Sequence, residues 1–208
     1  LSVIGVLASG RGSNCEALLR AAQDGRLKGR VGLVLSDRPD APVLEIARRY
    51  EVPARFQDPG RKGAKLTPEA EAEYVGGLRQ AGVEWVALAG FMRIVGPELL
   101  AAYAGRIVNI HPSLLPAFPG LDAQRQALEY GVRVAGCTVH LVNEGVDTGP
   151  IVLQQPVPVL PNDTVDSLSA RILEEEHGLY VRAFNLLLQR KYRLDGRRIL
   201  FYDEATTT

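Results

Sequence analysis

Three polar residues have types and spacing that could do chemistry together. Asn109 and His111 are separated by one residue in Asn109-Ile110-His111-Pro112, and Asp147 opens Asp147-Thr148-Gly149-Pro150. Side chains two apart on an extended chain fall on the same side, so Asn109 and His111 point together. A carboxamide and a protonated imidazole both donate to an oxygen that turns negative when an amine attacks an acyl carbon. Each such donor is typically worth ~10²–10³ in rate. A carboxylate close by favours the protonated imidazole, and it can take the proton that the amine loses, directly or through water. The set therefore suits acyl transfer to an amine with no covalent intermediate. Two other readings use the same residues. One is a hydrogen-bonded structural histidine. The other is a metal site of two histidines and a carboxylate from His111, His140 and Asp147, but its spacing is loose and His140 lies within an apolar run, which suits packing. No close ligand pair and no Gly-x-Ser-x-Gly turn occurs, so neither a metal nor a serine hydrolase is expected.

A second constellation is Ser9-Gly10-Arg11-Gly12-Ser13-Asn14, between an apolar run and a helical pattern. Backbone N–H groups at a helix N-terminus suit a phosphate. The glycines admit the anion, while Ser13 and Asn14 add side-chain donors. The Gly-Lys-Ser/Thr of a Walker loop is absent. A dinucleotide fingerprint nearly fits, with Asp37 after the next strand, but Cys15 takes the place of its third glycine. A plain tight turn capped by Ser13 is the structural alternative.

The elements that must position these groups follow from periodicity. Strands are expected at 2–8, 30–36, 52–56, 84–88 and 106–109, and helices at 14–24, 41–51, 68–81 and 97–103. This alternation argues for parallel strands with right-handed crossovers. It also puts Asn109 and His111 at the carboxyl edge of the sheet, where open α/β folds place their sites. The proline-rich 110–121 is irregular. A helix at 123–130, strands at 134–142 and 151–159, and a long amphipathic helix at 164–189 follow, with a small hairpin within 193–201.

The chain has 208 residues, 46% of them hydrophobic, with 24 basic and 24 acidic side chains. That length fits one domain. The neutral balance gives no footprint for nucleic acid or an anionic membrane, and no apolar run reaches the ~20 residues of a membrane helix. Cys15 and Cys137 form no CxxC pair, which fits reduced thiols and a cytoplasmic protein.

The sequence resembles the phosphoribosylglycinamide formyltransferase family, folate-dependent enzymes of purine synthesis, from about Val3 to Arg193. The resemblance is carried by SGRGSN at 9–14, LAGFMRI at 88–94, NIHPSLLP at 109–116, FPGLDAQRQAL at 118–128, GCTVHLV at 136–142 and VDTGPI at 146–151. It implies a formyltransferase fold: an open, mostly parallel twisted sheet of about seven strands with helices on both faces and a Rossmann-like first half. The implied layout is a single domain over 1–208, with a nucleotide-binding half at 1–105 and a catalytic, folate-binding half at 106–208. The implied reaction is direct transfer of the formyl group of 10-formyltetrahydrofolate to phosphoribosylglycinamide, without metal. By this resemblance Asn109, His111 and Asp147 are catalytic. Arg11, Gly12, Ser13, Asn14 and Glu176 hold the phosphate and ribose. Phe91, Met92, Arg93, Ile94, Val95, Asn109, Val142, Asn143, Glu144 and Gly145 line the folate pocket. Partners are then small molecules, with no nucleic acid or membrane, and a homodimer is compatible. The sequence departs from the family where an arginine usually meets the folate glutamate tail. Thr67-Pro68-Glu69 stands there, leaving Arg61, Lys62 or Lys65 as substitutes. Asp122 and Gln124 replace histidines, Ala117 a lysine, and Leu173 a polar residue near the substrate.

Overall fold

The computed structural model describes residues 1–60 and 63–202. The first apolar run forms β1 (Ser2–Ala8). Its side chains alternate between two cores: Val3 and Leu7 enter one, while Ile4, Val6 and Ala8 enter the other. Burial on both faces explains why the strand is apolar throughout. The chain continues through α1 (Ser13–Gln23), β2 (Gly29–Ser36), α2 (Pro42–Arg49), β3 (Ala54–Phe56), α3 (Pro68–Gln80), β4 (Trp85–Leu88), α4 (Pro97–Ala102) and β5 (Ile107–His111). These five strands are mutually parallel. Helices α2, α3 and α4 each open on proline, where a missing N–H leaves no bond unmade. Thr67 caps α3 by accepting from the Ala70 N–H at 3.2 Å.

After β5 the direction reverses. Helix α5 (Ala123–Tyr130) leads to β6 (Val134–Leu141), antiparallel to β5, and β7 (Ile151–Pro158) is antiparallel to β6. The long α6 (Val165–Gln189) starts at a Thr164–Ser167 capping box and packs on α1, β6 and β7. The hairpin of β8 (Lys191–Asp195) and β9 (Arg198–Tyr202) ends the described chain. The sheet order is β3-β2-β1-β4-β5-β6-β7-β9-β8, nine strands among the described residues. The seven expected strands are β1–β7. The terminal hairpin supplies the other two and joins through one residue pair, Ile151 with Arg198.

Strand β5 runs two residues beyond the expected 106–109. Ile110 and His111 still pair, with Val139 and Thr138 of β6, so the proline that follows stops the strand later than composition suggested. The strand order turns at β1, with β2 and β3 on one side and β4 and β5 on the other. The carboxyl ends part there and open a crevice. Tyr180 of α6 holds the neighbouring seam, its hydroxyl lying 2.9 Å from the Leu88 carbonyl and 3.0 Å from that of Val108.

Candidate active site

The crevice is a cleft of about 1460 Å³ over the carboxyl ends of β1, β2, β4 and β5. Every residue expected at a site borders it: 11–14, 91–95, Asn109, His111, 142–145, Asp147 and Glu176. Segments up to 165 residues apart in sequence thus meet at one place, from Arg11 to Glu176.

Asp147 lies at the centre. Its loop is built tightly: Asn143 accepts from the Gly145 N–H at 3.2 Å and from the Thr148 hydroxyl at 2.8 Å. A Cβ on Gly149 would collide with the Leu141 carbonyl. Asp147 itself has φ +52°, in the left-handed region where a short polar side chain is the usual non-glycine occupant. This turn aims the carboxylate at β5 and β6. One oxygen accepts from the Gly120 N–H at 2.8 Å and lies 3.3 Å from His111 Nδ1. The other lies 3.4 Å from Asn109 Nδ2 and 3.6 Å from His140 Nε2. Burial pushes the Asp147 carboxyl up, but the His140 ring, the Gly120 N–H and the charge at His111 together outweigh it and hold it below its ordinary value of 3.8.

The partners fix where ring protons sit. His111 Nε2 meets only the Phe118 carbonyl, at 2.9 Å, and therefore carries hydrogen. Its Nδ1 faces the carboxylate, so the doubly protonated ring satisfies both acceptors. His140 Nδ1 donates to the Leu141 carbonyl at 2.9 Å, while Nε2 sits 3.1 Å from the Asn109 amide nitrogen and 3.6 Å from Asp147. A proton on His140 Nε2 would go to Asp147 and would require the Asn109 amide to turn its oxygen to the ring.

His140 was expected to be a packing residue. Instead it forms the fourth member of this cluster, placed by its direct pairing with Asn109 across β5 and β6. The sign in the sequence was a histidine alternating with Thr138 in a strand that would neighbour Asn109. The Phe118 carbonyl and Gly120 N–H, which hold His111 and Asp147, are backbone groups that composition does not reveal.

At the other end of the cleft, Gly12 is the N-cap of α1 with φ +83°. A Cβ there would lie 2.6 Å from Val43 Cγ2 and 2.9 Å from Val43 Cα. The missing side chain thus serves the packing of α2. Asn14 donates to Glu176 at 2.7 Å and leaves its own side-chain oxygen buried without a partner. Burial raises the Glu176 carboxyl to about 7 against the opposing pull of the Asn14 amide.

Two expected folate contacts also brace loops with their side chains. Arg93 pairs with Asp37 at 2.7 Å and donates to the Gly63 carbonyl, and only 13% of its side chain is exposed. Asn143 braces the Asp147 loop. Of the three cations named for a glutamate tail, Arg61 and Lys62 lie outside the described residues, and Lys65 bridges to Ile94 through its backbone. Among the described residues, no group of three or more His, Cys, Asp or Glu is arranged to hold a metal ion, and no helix is long and apolar enough to cross a membrane.

An open α/β sheet with a glycine loop and an Asn–His–His–Asp cluster on one crevice has the layout of an α/β enzyme whose site lies at the carboxyl edge of its strands. The family model described as formyl transferase matches residues 3–184. The chain is 43% identical over 183 residues to the phosphoribosylglycinamide formyltransferase of Bacillus subtilis, covering 88% of this chain and 93% of that one. It is 43% identical over 187 residues to the trifunctional purine biosynthetic protein adenosine-3 of Drosophila melanogaster, covering 89% of this chain and 14% of that longer protein. The crystal structure of glycinamide ribonucleotide transformylase 1 from Symbiobacterium toebii superposes with a TM-score of 0.92 at 52% identity, over 98% of this chain and 95% of that one. The chain belongs to the formyl transferase family.

Proposed function

We propose that the protein transfers the formyl group of 10-formyltetrahydrofolate to the amine of phosphoribosylglycinamide, a step of purine synthesis, in the cytoplasm. The observation that carries this reading is the Asp147 carboxylate, set between His111, His140 and Asn109 at one end of a cleft whose other end is a glycine loop. In this reading the ribonucleotide phosphate takes the N–H groups of 12–14, Glu176 meets the ribose, and the folate lies against 91–95 and 142–145. The half at 1–105 then binds the nucleotide, and the half at 106–208 supplies the catalytic groups.

The amine attacks the formyl carbon and forms the new C–N bond. The oxygen that becomes negative is met by the Asn109 amide and by the His111 Nε2–H, which leaves the Phe118 carbonyl to reach it, in a place poor in water. Asp147 accepts from His111 Nδ1 and receives the amine proton, directly or through water. Collapse breaks the bond to folate N10, which takes up a proton as it leaves. The direct test is an assay of the purified chain with 10-formyltetrahydrofolate and phosphoribosylglycinamide, run beside water and an amino sugar nucleotide as acceptors. Formyl transfer to phosphoribosylglycinamide alone is the expected result. Release of formate without transfer would overturn the reading.

A further inference from the structure

An acidic residue after the second strand of an open α/β fold commonly meets a ribose hydroxyl. Here that residue, Asp37, is turned elsewhere. Its side chain is 3% exposed and its Oδ2 lies 2.7 Å from Arg93 Nε. Arg93 belongs to the loop after β4, and its guanidinium crosses the end of β1 to reach the end of β2. The same guanidinium donates to the Gly63 carbonyl. The loop has other ties: Ile94 N–H donates to the Ala64 carbonyl at 2.7 Å, Met92 N–H to the Ser9 hydroxyl at 2.8 Å, and Ser9 N–H to the Gly90 carbonyl at 3.0 Å. Of these, the Asp37–Arg93 pair is ionic and buried. Such a pair fixes geometry strongly, since loss of one partner leaves the other charge uncompensated.

We infer that Asp37 is a positioning residue: through Arg93 it sets the shape of the 90–95 wall and thereby the affinity for the formyl folate. This rests on the proposed assignment of 91–95 to the folate. The ties to Ser9 do not involve Asp37, so the loop is displaced without being lost when Asp37 is replaced. The pair belongs to the ends of β2 and β4, whereas the Asn109–His111–Asp147 group is carried by β5 and the loop after β6, so ribonucleotide binding and turnover at saturation are preserved.

The test is Asp37→Leu, near in volume and without charge, measured in three ways on the full chain. Hydrogen exchange at Met92 and Ile94 is expected to accelerate at least tenfold. The KM and dissociation constant for 10-formyltetrahydrofolate are expected to rise at least tenfold, with kcat and the ribonucleotide dissociation constant within threefold. Unchanged exchange would overturn the inference, as would equal weakening of both ligands, which is the mark of general structural damage. Faster exchange with wild-type folate binding would overturn the assignment of 91–95 to folate and the inference with it. If Asp37→Leu does not fold, Asp37→Asn carries the same test with about a threefold rise in folate KM, because an oxygen acceptor remains while the charge does not.

Discussion

Asp147 is the residue on which the proposed chemistry turns, and its backbone makes a clean replacement available. Asn is at home at φ +52°, so Asp147→Asn keeps the turn while removing the charge. Turnover should fall by at least ~10², the lower range for a positioned proton acceptor, with ribonucleotide affinity within severalfold by calorimetry. Wild-type turnover in the variant would remove Asp147 from the mechanism. Glu176 offers a test of a different kind. Its carboxyl is raised by burial from 4.5 to about 7. Between those values the folded chain keeps a proton that the unfolded chain has released, so stability falls as pH rises through that window and stays at the lower level above it. Glu176→Gln still accepts from Asn14 and has no charge to bury. It should match the parent at pH 4 and exceed it at pH 8 by up to about 3 kcal/mol in denaturant melts. An equal gain at both pH values would rule out burial of the charge as the cause. Asn109, His111 and Asp147 were legible in the sequence because polar residues at strand ends and in a Gly-Pro loop have little structural reason to be there. His140 was not, because a histidine within an apolar strand reads as core until its cross-strand partner is known. Arg93 and Asn143 were assigned to the folate wall by motif, Asn143 through its backbone, and both line the cleft while their side chains brace loops. A motif marks a wall of a site without saying which side of it a side chain faces.

At the scale of elements, the βα alternation of the first half gave the parallel strands and the edge at which the site lies, because buried parallel strands are apolar throughout and crossover helices carry clear stripes. The reversal at β6 was less legible, since antiparallel pairing here depends on the register of Asn109, Ile110 and His111 against 138–140 and not on local composition. Gly12 shows how element packing alters an expected experiment. In the proposed reading a larger residue in the glycine loop obstructs the phosphate and strains a backbone at φ +83°. A Cβ at Gly12 would meet Val43 Cα at 2.9 Å, so α1 and α2 must also separate. Gly12→Ala should therefore weaken the ribonucleotide at least tenfold and also lower the melting temperature. Forcing atoms into a packed interface costs ~1–3 kcal/mol, and 1 kcal/mol corresponds to about 2–4 °C in a chain of this size. Adding Val43→Ala takes away the γ-methyl groups but leaves the backbone of α2 where it was, and should restore part of the stability and little of the affinity. Full recovery of affinity would mean that the loop acts only through packing.

For the molecule as a whole, the terminal hairpin raises the question of what lies outside the matched family region, which ends at 184. Tyr192, Ile199 and Phe201 pack against the larger core, and the Tyr192 hydroxyl donates to the Gly105 carbonyl at 2.8 Å. The sheet pairing is a single bridge, so β8 and β9 add little to the sheet. Their turn, however, reaches the site: Arg197 Nη2 donates to the carbonyl of Thr148, next to Asp147, at 2.7 Å. Arg198 pairs with Ile151, just beyond Pro150. The loop that aims the carboxylate is thus held from inside by Asn143 and from outside by the hairpin. The Arg197 bond is exposed and contributes only about 1 kcal/mol to stability. The Asp147 loop requires accuracy more than strength, because small misplacements of reacting groups are costly in rate. Arg197→Ala should lower the melting temperature by no more than about 4 °C, lower kcat severalfold and leave both KM values near wild type. Arg197→Lys, which also donates to a carbonyl, should recover part of the loss. Unchanged kcat in Arg197→Ala would mean that the hairpin covers apolar surface and does nothing for the carboxylate.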